Sequence, residues 1–196
     1  MEQAETGLPR YASDRFNLRH LPLWRTNRLQ GTPTPITIHP NLSISSEYPE
    51  IVAADIRKNL TTNRIKQYPS YHSLSANFIA SPLGLPDKSD GTKRRIHHLS
   101  YPANNAESIN SGIPEQYGTI TYSTIHDAVT AVQSFGKEYL LVKRDFKSAF
   151  YHIPVSPLDT PLLGFHWNDT FHSEQFFPFG FCTVPSIFNL FAEIFH

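Results

Sequence analysis

The 196-residue chain has one cysteine, Cys182, so it forms no intramolecular disulfide, and redox chemistry does not fix its compartment. No apolar run approaches ~20 residues, which argues against a helical membrane span. The opening segment, MEQAETGLPRYASDR, carries charge without an apolar centre and does not read as a secretory signal. Together these absences predict an intracellular protein, nuclear or cytoplasmic, with no membrane partner. Ten histidines invite a zinc site, but there is no Cys-x-x-Cys and no His-x3-His pairing, and adjacent His97 and His98 on a strand point to opposite faces. A Ser-His-Asp signature, a nucleophile elbow and a phosphate-binding glycine loop are missing too. No internal repeat or low-complexity tract appears.

Apolar residues make up 39% of the chain and aromatics 13%, with 14 Phe and 9 Tyr, enough for one packed domain of ordinary size. Sixteen prolines argue for long irregular connections. The 17 Lys/Arg balance 17 Asp/Glu, but unevenly along the chain. Residues 1–98 carry 13 basic and 8 acidic side chains, a net of +5; residues 99–196 carry 4 and 9, a net of −5. That asymmetry suits a polyanion grip in one half and cation binding in the other, and it is equally compatible with scatter in a neutral protein.

Residues 1–46 read as an irregular arm, broken by Pro9, Pro22, Pro33, Pro35 and Pro40, with Leu21, Leu23 and Trp24 as its docking residues. Pro49 to Ile65 predicts a helix with Pro49 in its first turn and a partial apolar face of Ile51, Val52, Asp55, Ile56 and Leu60. Phe78 to Leu85 predicts a strand, Lys88 to Thr92 a tight turn with Asp90-Gly91 at its tip, and Arg94 to Leu99 the returning strand. Tyr101 to Thr121 reads as a long loop. Thr124 to Phe135 predicts a helix, capped by Thr124 with Asp127 and ended by Gly136. Glu138 to Arg144 reads as a strand. Leu162 to Trp167 and Thr170 to Phe176 form a hairpin through Asn168-Asp169, and Thr183 to His196 a last helix with Pro185 in its first turn. The order predicts an α+β fold, an antiparallel sheet covered by helices.

The stretch Leu141 to Val155, LVKRDFKSAFYHIPV, delivers one acid, Asp145, at the end of an apolar run, with Phe150 five residues later. It lies between a basic turn, Lys88 to Tyr101 (KSDGTKRRIHHLSY), and a glycine turn that opens a helix, Phe177 to Asn189 (FPFGFCTVPSIFN). With SPLGLP at Ser81 to Pro86, HHLSYP at His97 to Pro102 and LLGFHW at Leu162 to Trp167, this set resembles reverse transcriptases, most closely those of tyrosine-recombinase (DIRS-like) retrotransposons. The resemblance covers about residues 78–196.

The resemblance implies a partial right-hand polymerase fold. Residues 1–46 would be the arm, 47–122 a fingers-like region with its helix and basic hairpin, and 123–196 a partial palm. It implies Mg2+-dependent deoxynucleotidyl transfer on a primed RNA or DNA template. Asp145 matches the first catalytic, metal-binding carboxylate, joined by the backbone carbonyl of Phe146. Lys93 and Arg94, with Arg95 as the alternative, match the basic residues that meet the triphosphate of the deoxynucleoside triphosphate. Phe150 matches the ring beneath the sugar, where bulk disfavours a ribose 2′-hydroxyl. Phe179 and Gly180 match the turn beside the nascent base pair. The family also carries a Tyr-x-Asp-Asp hairpin beyond the glycine-turn helix, and the sequence ends at His196 inside that helix. Asp159, Asp169 and Glu174 do not replace it, so Mg2+ binding should be weak. The expectation is a fragment that does not extend primers alone, with the remainder of a polymerase as a possible partner. The alternative is a non-catalytic nucleic-acid-binding remnant.

Overall fold

Apolar and aromatic positions do not by themselves say which elements meet; a computed structural model answers for residues 36–103, 108–113, 117–120, 122–136, 138, 140, 142 and 145–193. The described elements in chain order are β1 (Thr37–Ile38), α1 (Ser43–Glu47), α2 (Pro49–Thr61), β2 (Ile65–Tyr68), β3 (Ile79–Ala80), β4 (Leu83–Gly84), β5 (Ile96–His97), α3 (Ile125–Phe135), β6 (Gly164–Trp167), β7 (Thr170–Glu174) and α4 (Val184–Glu193). This is a mixed α+β architecture. One sheet has five strands in the order β1-β3-β6-β7-β2, and β4 pairs with β5 in a second, two-stranded sheet.

The hairpin β6–β7 organises the larger sheet. Its turn residues Asn168 and Asp169 both adopt left-handed φ, 44° and 58°, which short polar side chains tolerate and which matches strand twist. β2 adds antiparallel to β7, with Ile65 opposite Glu174. β3 runs parallel to β6 through Ala80 and Gly164. Gly164 is required there, because a Cβ would enter the Phe78 ring and the Ile79 carbonyl. Asn41 ties the two sheets, donating to the His166 carbonyl (2.8 Å) and accepting from the Leu83 N–H (2.9 Å).

Helix α2 starts at Pro49 as expected, but it ends at Thr61 rather than Ile65. Asn63 turns left-handed (φ 54°), and Ile65 opens β2 instead. Val52 and Ile56 seat α2 against Ile65, Leu83, Leu85, Phe165 and Trp167. Each such buried aliphatic side chain contributes roughly 1.5–3 kcal/mol. The expected strand over Phe78 to Leu85 is divided. Its first part joins the large sheet as β3, and after Ser81-Pro82 the rest joins the small sheet as β4. The tight turn forms, with the Lys88 N–H donating to the Thr92 carbonyl (2.7 Å) and Gly91 at φ 77°. Leu162 and Leu163 belong to a 3-10 turn, Thr160–Leu163, led by Pro161, and not to β6.

The arm expected to be irregular contains β1 and α1 in its last part; Leu21, Leu23 and Trp24 lie outside the described residues. Within the expected long loop, a 3-10 turn at Asn110–Gly112 stands between buried Ile109 and Ile113. Helix α3 forms where the spacing places it, with reciprocal Thr124–Asp127 capping. The strand expected over Glu138 to Arg144 is not seen at Glu138, Leu140 or Val142, which are exposed and paired with no described strand. Tyr139, Leu141, Lys143 and Arg144 lie outside the described residues, as do Ile194, Phe195 and His196 of the expected last helix.

Candidate functional site

The hairpin β4–β5 carries the three consecutive cations in three different directions, because successive strand residues alternate and the turn adds its own twist. Lys93 pairs with Asp87 (2.8 Å) and lies 4.7 Å over the Tyr48 ring. The Asp87 carboxylate, through its hydrogen bond, raises the Lys93 pKa. Arg94 is exposed and stacks its guanidinium 4.2 Å over the Phe179 ring. Arg95 turns inward: its side chain is 3% exposed, its Nε donates to Asp55 (2.5 Å) and its Nη1 to Glu174 (2.9 Å). The alternative placement of Arg95 at a nucleotide therefore finds its guanidinium already engaged by two carboxylates inside the fold.

Phe179 in turn meets Phe150, with ring centroids 4.9 Å apart. Phe150 packs edge-on to Phe188 of α4 (6.0 Å), and Phe146 does the same (5.6 Å). Arg94, Phe150 and Phe179 come from three segments distant in sequence, and the fold draws them into one aromatic-lined, half-exposed patch with a cation at its rim. Asp145 is exposed and is the immediate neighbour of Phe146, whose ring anchors that end of the patch.

Gly180 sits at φ 113°, a conformation that side chains rarely adopt. A Cβ there would run into the carbonyl of His97. The glycine turn thus lies against β5, and the His97 N–H donates to the Phe179 carbonyl (3.0 Å). Strand β5 itself is fixed from below. His97 is 1% exposed, and its Nε2 lies 2.7 Å from the Gly164 carbonyl. Burial first, then the nearby Arg95 charge, push its imidazole down to about 3. His172 stacks on Phe165 at 4.9 Å, and burial lowers it to about 4. Both rings are neutral at physiological pH.

Behind the patch lies a charged cluster that no sequence motif announces. Glu174 is fully buried, and burial pushes its carboxyl up although Arg95 opposes the shift. Burial works against the Arg95 charge as well, but Glu174, then Tyr151 and Asp55, hold its pKa above the ordinary arginine value. A guanidinium does not lose its proton in this range, so Glu174 is held as its counter-ion. Tyr151, next to Phe150, is pushed up by burial and then by Glu174, and Arg64 lies 4.6 Å over its ring. The polar flanking residues Ser173 and Gln175 give no sign that Glu174 is buried; Asp55 sits on the face of α2 toward Arg95.

Among the described residues no group of three His, Cys, Asp or Glu side chains converges to hold a metal ion, and no helix is long and apolar enough to cross a membrane. Asp145 belongs to no such group.

No family model matches the chain, and no curated protein matches it. Solved structures do. The chain is similar to a CSH mutant of the prototype foamy virus protease-reverse transcriptase, with a TM-score of 0.50 and 18% identity over 83% of this chain and 19% of that one. The native form of that protein gives a TM-score of 0.49 and 18% identity over 85% and 20%. The foamy viral protease-reverse transcriptase in complex with dsDNA gives 0.49 and 19% over 83% and 29%. The chain thus spans between about a fifth and three-tenths of the length of these structures. Taken with the converging segments, the likeness to the CSH mutant gives this chain a reverse-transcriptase-like fold.

Proposed function

We propose that this chain is the nucleotide- and template-gripping part of an RNA-directed DNA polymerase of the DIRS-like retroelement type, with residues 47–122 as fingers and 123–196 as the beginning of the palm. The observation that carries this reading is the stack of Arg94 on Phe179 and of Phe179 on Phe150. A fork of guanidinium donors beside two aromatic rings suits a nucleoside triphosphate: the cation meets phosphate oxygens, and the rings meet sugar and base. In this reading Arg94 takes the phosphates, and Lys93 adds positive potential from its pair with Asp87. Phe150 bars a 2′-hydroxyl. Phe179 and Gly180 line the base-pair side. Arg95 holds the hairpin from within. Asp145 and the Phe146 carbonyl would hold Mg2+, which would supply charge neutralisation, while the chain supplies orientation. With one carboxylate in the site among the described residues, nucleotide binding is the activity to measure first.

Exposed Arg57, Lys58 and Lys66 favour a second reading, a nucleic-acid-binding module without chemistry. Titration separates the two. Mg·dTTP should bind in preference to Mg·UTP, and Arg94→Ala should weaken dTTP by about tenfold, the worth of one charge-assisted hydrogen-bond pair. Salt-sensitive binding of primed template with no affinity for dTTP would replace the polymerase reading with the second one.

A further inference from the structure

Two hydrogen bonds to one side chain fasten the glycine turn, and a third ties that side chain to Ser100. Asn110 Nδ2 donates to the Gly180 carbonyl (2.8 Å) and lies 2.8 Å from Ser100 Oγ, while its Oδ1 accepts from the Cys182 N–H (3.1 Å). Asn110 is seventy residues upstream of Gly180, in a segment with no recognisable motif. Its own position is fixed. Its N–H donates to the Leu99 carbonyl (2.9 Å), and its flanking residues Ile109 and Ile113 are 4% and 8% exposed in the core beside Leu99, Phe177 and Phe181. Ser108 braces the turn, accepting from the Ser111 N–H through Oγ (3.1 Å) and from Ser111 Oγ through its carbonyl (2.8 Å).

The turn needs such a clamp. Gly180 stands at φ 113°, which glycine adopts freely, and it has no side chain of its own to pack against β5. A primary amide carries a donor and an acceptor on one planar group, so it can hold the carbonyl on one side of a bend and the N–H on the other. Phe179, which carries the Arg94 stack, lies directly before Gly180.

We infer that Asn110 is a positioning residue of the nucleotide patch: it sets the Phe179 ring through the backbone of Gly180 and Cys182. The inference rests on the nucleotide reading for its consequence, but its geometry can be tested without it. Phe179 is replaced by 4-fluorophenylalanine in the full chain, and its 19F resonance is compared in the Asn110 and Asn110→Ala proteins. Binding of Mg·dTTP and thermal melting are measured alongside. Asn110→Ala should shift or broaden the 19F line and weaken dTTP by about fivefold to tenfold with melting little changed. Asn110→Asp keeps the acceptor for Cys182 but turns a carboxylate oxygen on the Gly180 carbonyl, so it should move the line as Asn110→Ala does. An unmoved resonance in both variants overturns the inference. Loss of binding strictly in step with loss of melting also overturns it, since that is what a merely structural residue gives. If the parent protein binds no dTTP, the nucleotide reading fails, while a shifted 19F line still upholds the clamp.

Discussion

Helices α2 and α3 are of similar length and both amphipathic, yet they end up in opposite situations. α2 lacks a side-chain cap and carries a polar Asp55 and Asn59 along its inner side. It is nonetheless seated, with Val52 at 0% exposure and Ile56 at 5%. α3 has the better local signals: a reciprocal Thr124–Asp127 cap and a glycine at its end. Its apolar stripe is nevertheless in the open, with Ile125 86%, Val129 45%, Val132 40% and Phe135 57% exposed. Capping and spacing therefore determine that a segment becomes helical, and a partner surface determines whether that helix contributes to a core. α2 has such a surface in β2, β4 and β6. α3 leaves Ile125, Val129 and Val132 exposed to water.

The sharpest way to break this contrast is to attack the polar part of the α2 side. Arg95 links α2, through Asp55, to β7, through Glu174. Arg95→Met leaves a fully buried carboxylate without its counter-ion and should cost about 3–5 kcal/mol, read as a drop in the denaturant midpoint. Arg95→Met combined with Glu174→Gln should recover a large part of that loss, because the uncompensated charge is then gone. A double variant as unstable as Arg95→Met alone would mean that the guanidinium acts by packing on Phe165, 4.8 Å away, and not by pairing.

Arg95 also marks the limit of what the sequence makes legible. The run Lys93-Arg94-Arg95 reads as a basic tip, and nothing in it tells which cation faces out. That is decided by Glu174, seventy-nine residues away, and by the twist of a two-residue strand. Local features were legible for physical reasons: Pro49 at a helix start, Asn168-Asp169 in a hairpin and Thr124 with Asp127 as a cap each act within a few residues. Arg94 and Phe150 each meet Phe179 across segments distant in the chain. What stayed illegible was long-range. The division of Phe78 to Leu85 between two sheets depends on Gly164, and the role of Asn110 depends on a turn seventy residues later.

Acid should separate the two regions more gently. His97 and His172 belong to the α2 side, and both have pKa values below the unfolded 6.5, at about 3 and about 4. Between those values and 6.5 the unfolded chain binds more protons, so stability falls as pH drops through that window. His97 alone contributes a slope of up to about 1.4 kcal/mol per pH unit. Glu174, raised by burial, acts in the opposite sense, losing stability as pH rises through its native value. Urea midpoints measured from pH 7 to pH 4 should therefore decline, and His97→Gln, whose amide can still donate to the Gly164 carbonyl, should flatten the decline. An equal slope in the variant would remove His97 from the account.

The smallest effect belongs to α3. Val129→Lys with Val132→Lys places two cations on a face that already meets water, and lysine is at least as good a helix former as valine. The change should alter the unfolding free energy by less than about 0.5 kcal/mol, the range of surface substitutions away from special features. Val52→Lys on α2 puts one charge where exposure is 0% and should abolish cooperative unfolding at room temperature. If instead the α3 pair costs more than about 2 kcal/mol, its stripe is covered in solution, and the contrast between the helices lies in which partner covers each, not in whether one does.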